Sequence, residues 1–244
     1  MQLNKTLQNI LDNFDNSGKL FIAGNRNVIK LFEYEGAIIN VKAFKVPNWI
    51  NKIIYNYFRN SKARRSFNYA TILLERGIGT PKPIAYYEQK SFFGLEKSYY
   101  ISQHLKFDLM FRDLVEDNNY PNRDIILKQF MSFCYKLHEN GIEFLDHSPG
   151  NTLIKKENEK EYSFYLVDLN RMIFHKKMTF EQRMKNLSRL TPYKDMIQIM
   201  SKEYAALSNE EENLVFGTLW KFTSEFQYKF YRKKRIKNKL KSWK

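Results

Sequence analysis

The segment from Asp146 to Asp168 constrains what this chain can fold into more than any other stretch. Asp146 and Asn151 are five positions apart, across a polar turn that contains a Pro-Gly pair. Two short apolar runs follow, at 152–154 and 162–167, and they flank a charged tip. Apolar runs of this length around a polar turn are typical of a β-hairpin. Because a hairpin returns the chain to its starting point, we expect Asp168 to lie beside the turn that carries Asp146.

The residue types in this segment suit the handling of phosphate and a divalent cation. An amide oxygen and a carboxylate are hard ligands that Mg²⁺ accepts, and a further carboxylate can take the proton of an attacking hydroxyl. Asp, four residues, Asn, and then an Asp after a strand is the spacing of the catalytic and metal-binding loops of protein kinases. The alternative for Asp146 and Asn151 alone is a polar turn whose side chains only cap the backbone.

Two stretches carry a resemblance to a known family. The sequence LHENGIEFLDHSPGN, at 137–151, resembles the catalytic segment of the protein-kinase-like superfamily. The sequence VDLNR resembles the metal-binding segment of the lipopolysaccharide kinases, the bacterial Kdo and heptose kinases, and Asn170 and Arg171 fit that variant. The resemblance implies that ATP and Mg²⁺ are the cofactors, that Asp146 is the catalytic base, and that Asn151 and Asp168 are metal ligands.

The first hundred residues combine strand patterns with two helical patterns, and the first of these helical patterns covers 1–15. The patterns predict strands at 20–23, 27–33, 37–44, 86–90 and 97–103, and a helix from about 62 to 76. By the resemblance, Lys42 on the third strand holds nucleotide phosphate, with Lys45 as its rival. Gly24 belongs to the nucleotide-covering loop, although a plain hairpin turn also explains it. Main-chain groups around Gln103 and Leu105 are expected to hold adenine.

The sequence departs from the kinase pattern in two places. A kinase pairs its strand lysine with a Glu on the following helix, but Ser66 and Asn68 stand where that Glu is expected and Glu75 is close to the helix end. Either Glu75 substitutes for it, or phosphate alone holds Lys42. Phe144 stands two positions before Asp146, where many kinases carry His. The missing Glu and the glycine-poor covering loop favour a non-catalytic pseudokinase as one alternative, whereas the His that Phe144 replaces has a structural role.

The second half of the chain is predicted to be mostly helical. Helical patterns occur at 107–115, at 123–140 with Asn122 as the N-cap, at 180–190, and from about 209 onward. Ser208 and Glu211 match a capping box that would start the last of these helices. Cys134, the single cysteine, lies on an apolar helix face, so we expect a small buried side chain and no internal disulfide.

A formal net charge of +15 calls for an anionic partner. From Lys229 onward the chain carries nine basic residues and no acidic ones, a pattern that attracts anionic lipid, with Leu240 and Trp243 as interfacial anchors. A solvated tail is the alternative, and nucleic acid is not expected because aromatic residues are sparse there. Arg171 and Arg183 are candidate substrate contacts, with a solvated salt bridge as the alternative for Arg171.

These patterns together predict an α+β, protein-kinase-like fold, with a β-rich N-lobe at 1–104 and a mostly helical C-lobe at 105–244. The resemblance implies an ATP-dependent kinase that phosphorylates a Kdo or related core sugar of lipid A, a glycolipid, at the cytoplasmic membrane face. The alternatives are a RIO-like protein kinase or small-molecule kinase, and a membrane-associated pseudokinase. The chain shows no signal-peptide pattern and no long apolar run, so we expect a cytoplasmic, peripheral protein.

Overall fold

A computed structural model describes residues 3–24, 27–45, 60–92 and 94–241 of the chain, with side chains as far as 239. The chain divides into two compact units. The first unit is Met1–Lys106 with Leu166–Arg171, and the second is Phe107–Tyr165 with Met172–Lys244. Each unit therefore contains two separate pieces of the chain.

The first unit is an antiparallel sheet with two helices. Its elements are α1 (Lys5–Asp12), β1 (Lys19–Ala23), β2 (Asn27–Tyr34), β3 (Ala37–Phe44), α2 (Lys62–Glu75), β4 (Pro83–Ser91) and β5 (Gly94–Gln103). The five strands lie in the order β1-β2-β3-β5-β4, so β3 is central. The strand and helix predictions for this half are confirmed, with ends that differ by a few residues.

The core of the first unit explains why its first helix packs on the sheet. Leu7 and Leu11 are one turn apart on α1 and are both buried. They pack in one cluster with Val41 of β3 and Ile101 of β5. Since side chains alternate along a strand, the residues between these core positions point to the opposite face of the sheet. Lys42 is one of them, and it is paired in register with Ile29 and Tyr100.

The second unit is mainly helical. Its elements are β6 (Leu109–Met110), α3 (Phe111–Glu116), α4 (Arg123–Glu139), β7 (Ile142–Phe144), a 3₁₀ turn (Pro149–Asn151), β8 (Thr152–Lys156), β9 (Tyr162–Leu166), β10 (Met172–Phe174), α5 (Phe180–Leu187), α6 (Lys194–Ser208) and α7 (Glu212–Lys241). The hairpin predicted after Asn151 is confirmed as β8 and β9, which lie in one sheet with β6. One apolar cluster joins α3, α4, α5, α6 and the start of α7.

The end of α4 carries the turn into the candidate catalytic segment. Gly141 has φ +68°, a left-handed conformation that residues with a side chain rarely adopt, and it lies two residues after Glu139, the last residue of α4. A Cβ at this position would collide with the carbonyl oxygen of His175. The amide of His175 donates in turn to the carbonyl of Gly141, at 2.7 Å. This close approach requires a glycine and joins β7 to β10 directly before Asp146.

Three local predictions for the second half are wrong. Leu109 and Met110 form a strand that pairs with β8, so the helix predicted from 107 begins only at Phe111. Asn122 precedes α4 but does not cap it, because its φ is +59° and its amide donates to the carbonyl of Glu159 and to the Tyr162 hydroxyl.

The capping box predicted for Ser208 and Glu211 is also absent. Ser208 is the last residue of α6, and its hydroxyl donates back to the carbonyl of Tyr204. A capping box does occur at Thr179 and Gln182, where it begins α5.

Within the described part of the chain, no helix is both long enough and apolar enough to cross a membrane. Trp243, and the aromatic stretch at 46–59, lie outside the described residues, and the side chain of Leu240 is not described.

Candidate active site

Lys42 and Asp168 meet in a small cavity of the first unit. Lys42 Nζ lies 2.8 Å from Asp168 Oδ1, although the two residues are 126 positions apart in the sequence. The cavity measures about 80 Å³, and its lining also includes Asn40, Ser66 and Tyr100. The lysine side chain is 13% exposed and the aspartate 34%, so the pair is partly shielded from water but accessible to a ligand.

The backbone around Asp168 is held in an unusual conformation. Asp168 has φ +59°, which non-glycine residues adopt rarely and which clusters at functional sites. The Leu166 amide donates to Gly79 O at 2.9 Å, and the hydroxyl of Thr80 donates to Leu166 O at 2.8 Å. Asn170 Nδ2 donates to Asp168 Oδ1 at 2.7 Å. These bonds fix the carboxylate after β9 and direct one oxygen toward Lys42.

The other residues predicted to contact the nucleotide lie elsewhere in the first unit. Gly24 lies in the turn after β1, where its amide donates to Asn27 O, and it lines a different cavity from Lys42. The amide of Gln103 donates to Lys82 O, so that N–H is already used, while Leu105 follows the end of β5. Their roles in binding a nucleotide stay predictions.

Tyr100 lines the cavity beside Lys42, and burial raises the pKa of its hydroxyl far above the ordinary value. Glu75 is exposed at the end of α2, whereas Ser66 of the same helix lines the cavity. Among the described residues, Asp168 is the ion-pair partner of Lys42. The carboxylate that the helix lacks is thus supplied by Asp168.

The second unit carries the turn with Asp146 and Asn151. Asn151 Nδ2 donates to Asp146 O at 2.8 Å, which closes the turn on itself. The Asp146 carboxylate lies 3.9 Å from Arg189 Nη1, and Arg189 Nη1 also donates to Leu145 O at 3.0 Å. The side chain of Asp146 is 27% exposed. Arg189 therefore holds the main chain directly before the acid as well as facing its carboxylate.

A buried hydrogen-bond network centred on Asn186 lies behind this turn. Asn186 Nδ2 donates to Phe144 O at 2.8 Å, which fixes the orientation of the amide. Its Oδ1 then faces His138 Nε2 at 3.2 Å and His147 Nδ1 at 3.4 Å. Because an amide oxygen can only accept, both of these ring nitrogens must carry a proton. His138 Nδ1 is left to accept from the Tyr204 hydroxyl, at 2.7 Å.

The network keeps both histidines neutral. Burial lowers the pKa of His138 to about 3 and that of His147 to about 4. His147 Nε2 is buried without a hydrogen-bond partner among the described residues. Since Phe144 precedes Asp146 by two positions and His147 follows it directly, the network holds the main chain on both sides of the acid without a formal charge.

His138 bonds two residues far away in the sequence, Tyr204 and Asn186. Asn186 and Arg189 were not predicted as site residues. Neither falls in a motif with defined spacing, and their partners are about 40 positions or more away in the sequence. Only a polar Asn on the inner face of an amphipathic helix could have drawn attention to Asn186.

The two arginines predicted to contact substrate have different surroundings. Arg171 is exposed three residues after Asp168, in the first unit. Arg183 lies in the second unit, where it pairs with Glu139 at 2.5 Å and donates to Met178 O at 3.2 Å. Their substrate roles stay predictions. Cys134 is buried as predicted, and burial raises the pKa of its thiol well above the ordinary range.

The donor chemistry of the predicted metal ligands fits Mg²⁺. Asp168 Oδ1 accepts the bonds from Lys42 and Asn170, so Oδ2 remains for a cation. Asn151 uses its Nδ2 on the turn, which leaves its carbonyl oxygen. Such oxygens, completed by phosphates and water, are what Mg²⁺ takes in kinase sites. No group of three or more His, Cys, Asp or Glu side chains among the described residues forms a metal cluster.

Two features define a protein of the kinase-like class. The first is an antiparallel sheet whose central strand carries a lysine paired with an aspartate, and the second is a helical unit with an Asp-x₄-Asn turn. A solved structure described as WaaP in complex with acyl carrier protein has the same fold, with a TM-score of 0.64 and 15% sequence identity. That likeness covers 94% of this chain and 98% of the other.

The chain belongs to the lipopolysaccharide kinase (Kdo/WaaP) family, whose profile matches residues 38–210. The match contains Lys42, Asp146, Asn151 and Asp168. The family is one of kinases, which transfer a phosphoryl group from ATP. A search of curated proteins found no significant match.

Proposed function

We propose that this chain is an ATP-dependent kinase that phosphorylates a hydroxyl of Kdo or a related core sugar on lipid A. The observation that carries the proposal is the Lys42–Asp168 pair at 2.8 Å inside a cavity, in a member of the lipopolysaccharide kinase family. A cation for phosphate beside a carboxylate for a metal is the combination that phosphoryl transfer needs.

In this reaction the acceptor hydroxyl oxygen forms a bond to the γ-phosphorus, the bond from that phosphorus to the β–γ bridging oxygen breaks, and ADP leaves. We assign Asp146 to orient the hydroxyl and accept its proton. Lys42 compensates negative charge on the phosphates. Asn151 and Asp168 would hold Mg²⁺, which neutralises phosphate charge when bound. Positioning and electrostatics supply most of the acceleration in such transfers.

The proposal is tested by incubating the purified chain with labelled ATP, Mg²⁺ and purified lipid A carrying a core sugar. Label is expected in the glycolipid, and mass spectrometry should show one added phosphate. The matched control is Asp146→Asn, which keeps the size of the side chain and removes the base. Label in added proteins but not in the glycolipid would instead identify a RIO-like protein kinase.

A second candidate function is a pseudokinase, and the observation that favours it is the absence of an acidic partner for Lys42 on α2. Thermal unfolding with and without Mg²⁺-ATP separates the two candidates. A ligand that binds only the native state must raise its stability, by about 2.7 kcal/mol at a hundred times its Kd. No stabilisation by Mg²⁺-ATP, together with no phosphate transfer to any acceptor, would favour the pseudokinase.

We also propose that the chain binds the anionic inner face of the cytoplasmic membrane through the exposed part of α7. Residues 228–239 are all exposed, and most of them are Lys or Arg. Tyr228, Phe230, Tyr231 and Ile236 are exposed there too. At 100° per residue these four point in different directions, so the helix has no single apolar stripe and its attraction to lipid rests on charge.

Vesicle co-sedimentation tests this second proposal. Vesicles with anionic lipid should bind the chain at low salt and release it as salt rises, whereas neutral vesicles should not bind. Changing Lys233, Lys234 and Arg235 to Gln should weaken binding by about 10²-fold, at about 1 kcal/mol per charge. The same three changes should leave ATP turnover with a soluble acceptor unaltered. Equal binding to neutral vesicles would exclude the electrostatic proposal.

A further inference from the structure

Beside the turn with Asp146, the second unit contains a cavity of about 220 Å³. Its lining includes Leu145, Lys185, Arg189, Phe226 and Lys229. Drug-sized ligands occupy cavities of roughly 300–1,000 Å³, so this one suits a single small group. It does not overlap with the cavity of Lys42 and Asp168, whose lining residues all belong to the first unit.

Arg189 joins this cavity to the proposed base. Its Nη1 donates to Leu145 O at 3.0 Å and lies 3.9 Å from Asp146 Oδ1. The guanidinium carbon lies 5.2 Å from the centre of the Phe226 ring. A guanidinium has five N–H donors, and among the described residues only the bond to Leu145 uses one. The remaining planar fork is 43% exposed and is suited to bind an oxyanion with two parallel bonds.

The charges that line the cavity leave it positive. Its two acids are already engaged: Glu143 bonds His175 at 2.7 Å, and Glu225 lies 3.8 Å from Lys229. The ammonium group of Lys185 forms no ion pair or hydrogen bond within the described ranges and is exposed at the end of α5. Arg189 and Lys185 are thus cations without a full counter-charge.

We propose that this cavity binds an oxyanion group of the acceptor, a carboxylate or a phosphate, and that Arg189 and Lys185 are its ligands. This inference rests on the proposed kinase function, because it makes the acceptor an acidic sugar or glycolipid. An anionic group held by Arg189 places the neighbouring hydroxyl within reach of Asp146, and the ring of Phe226 forms an apolar wall. Arg189 then contributes to acceptor specificity and Asp146 to the transfer.

Binding to the full chain tests the site without any need for turnover. The probes for calorimetry are free Kdo, a carboxyl-reduced form of the same sugar, and inorganic phosphate. Kdo or phosphate is expected to bind, and the reduced sugar to bind about tenfold more weakly than Kdo if the carboxylate is the group recognised. Arg189→Gln should remove that preference, Arg189→Lys should keep part of it, and Lys185→Gln should weaken binding several-fold.

Arg189→Gln and Lys185→Gln differ in the contacts that they remove besides the charge. Arg189→Gln also loses the bond to Leu145, whereas Lys185→Gln removes only a charge from the cavity. Lys202→Gln is the matched control, since Lys202 is an exposed lysine of α6 outside the cavity. In turnover assays, both cavity variants should raise KM for the acceptor about tenfold and leave KM for ATP unchanged. If the cavity variants weaken the binding of Kdo alone, the group recognised is a carboxylate. If they weaken the binding of inorganic phosphate alone, the group recognised is a phosphate on the acceptor.

The outcomes separate this inference from the proposed function. If the chain binds Kdo or phosphate through Arg189 but transfers no phosphate, the anion site stands and the kinase proposal fails. If the chain phosphorylates the core sugar while both variants bind and turn over as the wild type does, the anion site is wrong. Equal binding of Kdo and its reduced form, with no binding of phosphate, also overturns it.

Discussion

Asp168 and Asp146 are the two acids of the proposed reaction, and their surroundings differ in kind. Asp168 is held by charge, with Lys42 Nζ at 2.8 Å and a donating amide from Asn170 at 2.7 Å. The turn of Asp146 is held instead by main-chain bonds and by a neutral network around Asn186. A carboxylate in direct contact with a lysine suits a metal ligand, whereas a carboxylate on a rigid turn, with the Arg189 guanidinium at 3.9 Å, suits a proton acceptor.

The largest expected effect is on turnover when the proton acceptor is removed. Asp146→Asn should lower kcat by about 10³-fold, within the range for loss of a general base. It should leave Mg²⁺-ATP binding intact, because Lys42, Asn151 and Asp168 are unchanged. Steady-state kinetics and nucleotide-induced thermal stabilisation measure the two quantities. If the variant kept kcat within a factor of ten, Asp146 would not be the base, and its surroundings would not be those of a proton acceptor.

The neutral network predicts a loss of stability in mild acid. A histidine whose pKa is lower in the folded state than in the unfolded state, here about 3 for His138 and about 4 for His147, takes up protons only on unfolding. Stability is therefore complete above the unfolded pKa of about 6.5 and falls as the pH drops below it. Between pH 7.5 and pH 5 the free energy of unfolding should fall by about 4 kcal/mol, about 2 for each ring.

Chemical denaturation at the two pH values measures this change, and NMR titration of the histidine rings assigns it. His104, whose pKa burial also lowers, acts in the same direction. If either His138 or His147 titrates near pH 6.5 in the folded protein, the network is not neutral and the contrast with Asp168 is lost.

Replacing Asn186, the centre of the network, should lower the free energy of unfolding. Asn186→Leu leaves two ring N–H groups and the Phe144 carbonyl buried without partners, at about 1 kcal/mol or more each, so we expect about 3 kcal/mol lower stability at pH 7.5. Asn186→Asp is the matched variant. It keeps an acceptor for the histidines and favours their protonation, so its stability relative to wild type should improve from pH 7.5 to pH 5. The opposite trend would show that Asn186 does not accept from these rings.

The smallest of these effects concerns the charged pair. Lys42→Met should lower kcat/KM for ATP by about 10²-fold, as expected for the loss of one group that stabilises transition-state charge. Lys45→Met is the matched control, because Lys45 follows the same strand but lines a different cavity. If Lys45→Met has the larger effect, Lys45 and not Lys42 is the phosphate-binding lysine.

Sequence patterns predicted the elements of the fold better than the contacts of the site. Strand β3 and the β8–β9 hairpin follow from short-range alternation and turn residues, so Lys42, Asn151 and Asp168 could be placed on their elements correctly. The pairing of Lys42 with Asp168 joins residues 126 positions apart, and the alternatives considered were a helix Glu or phosphate alone. The bonds of Asn186 to His138 and Phe144 depend on how α5 packs on α4 and β7, which local patterns do not encode.

The bond between Lys42 and Asp168 bears on how the proposed nucleotide would be held. The two charges compensate each other, so the partly buried lysine has a counter-charge within the first unit. In the proposed reaction, Lys42 would exchange Asp168 for phosphate, and Asp168 would exchange Lys42 for a cation, so the net charge of the cavity would change little. The strength of the Lys42–Asp168 pair would then oppose nucleotide binding.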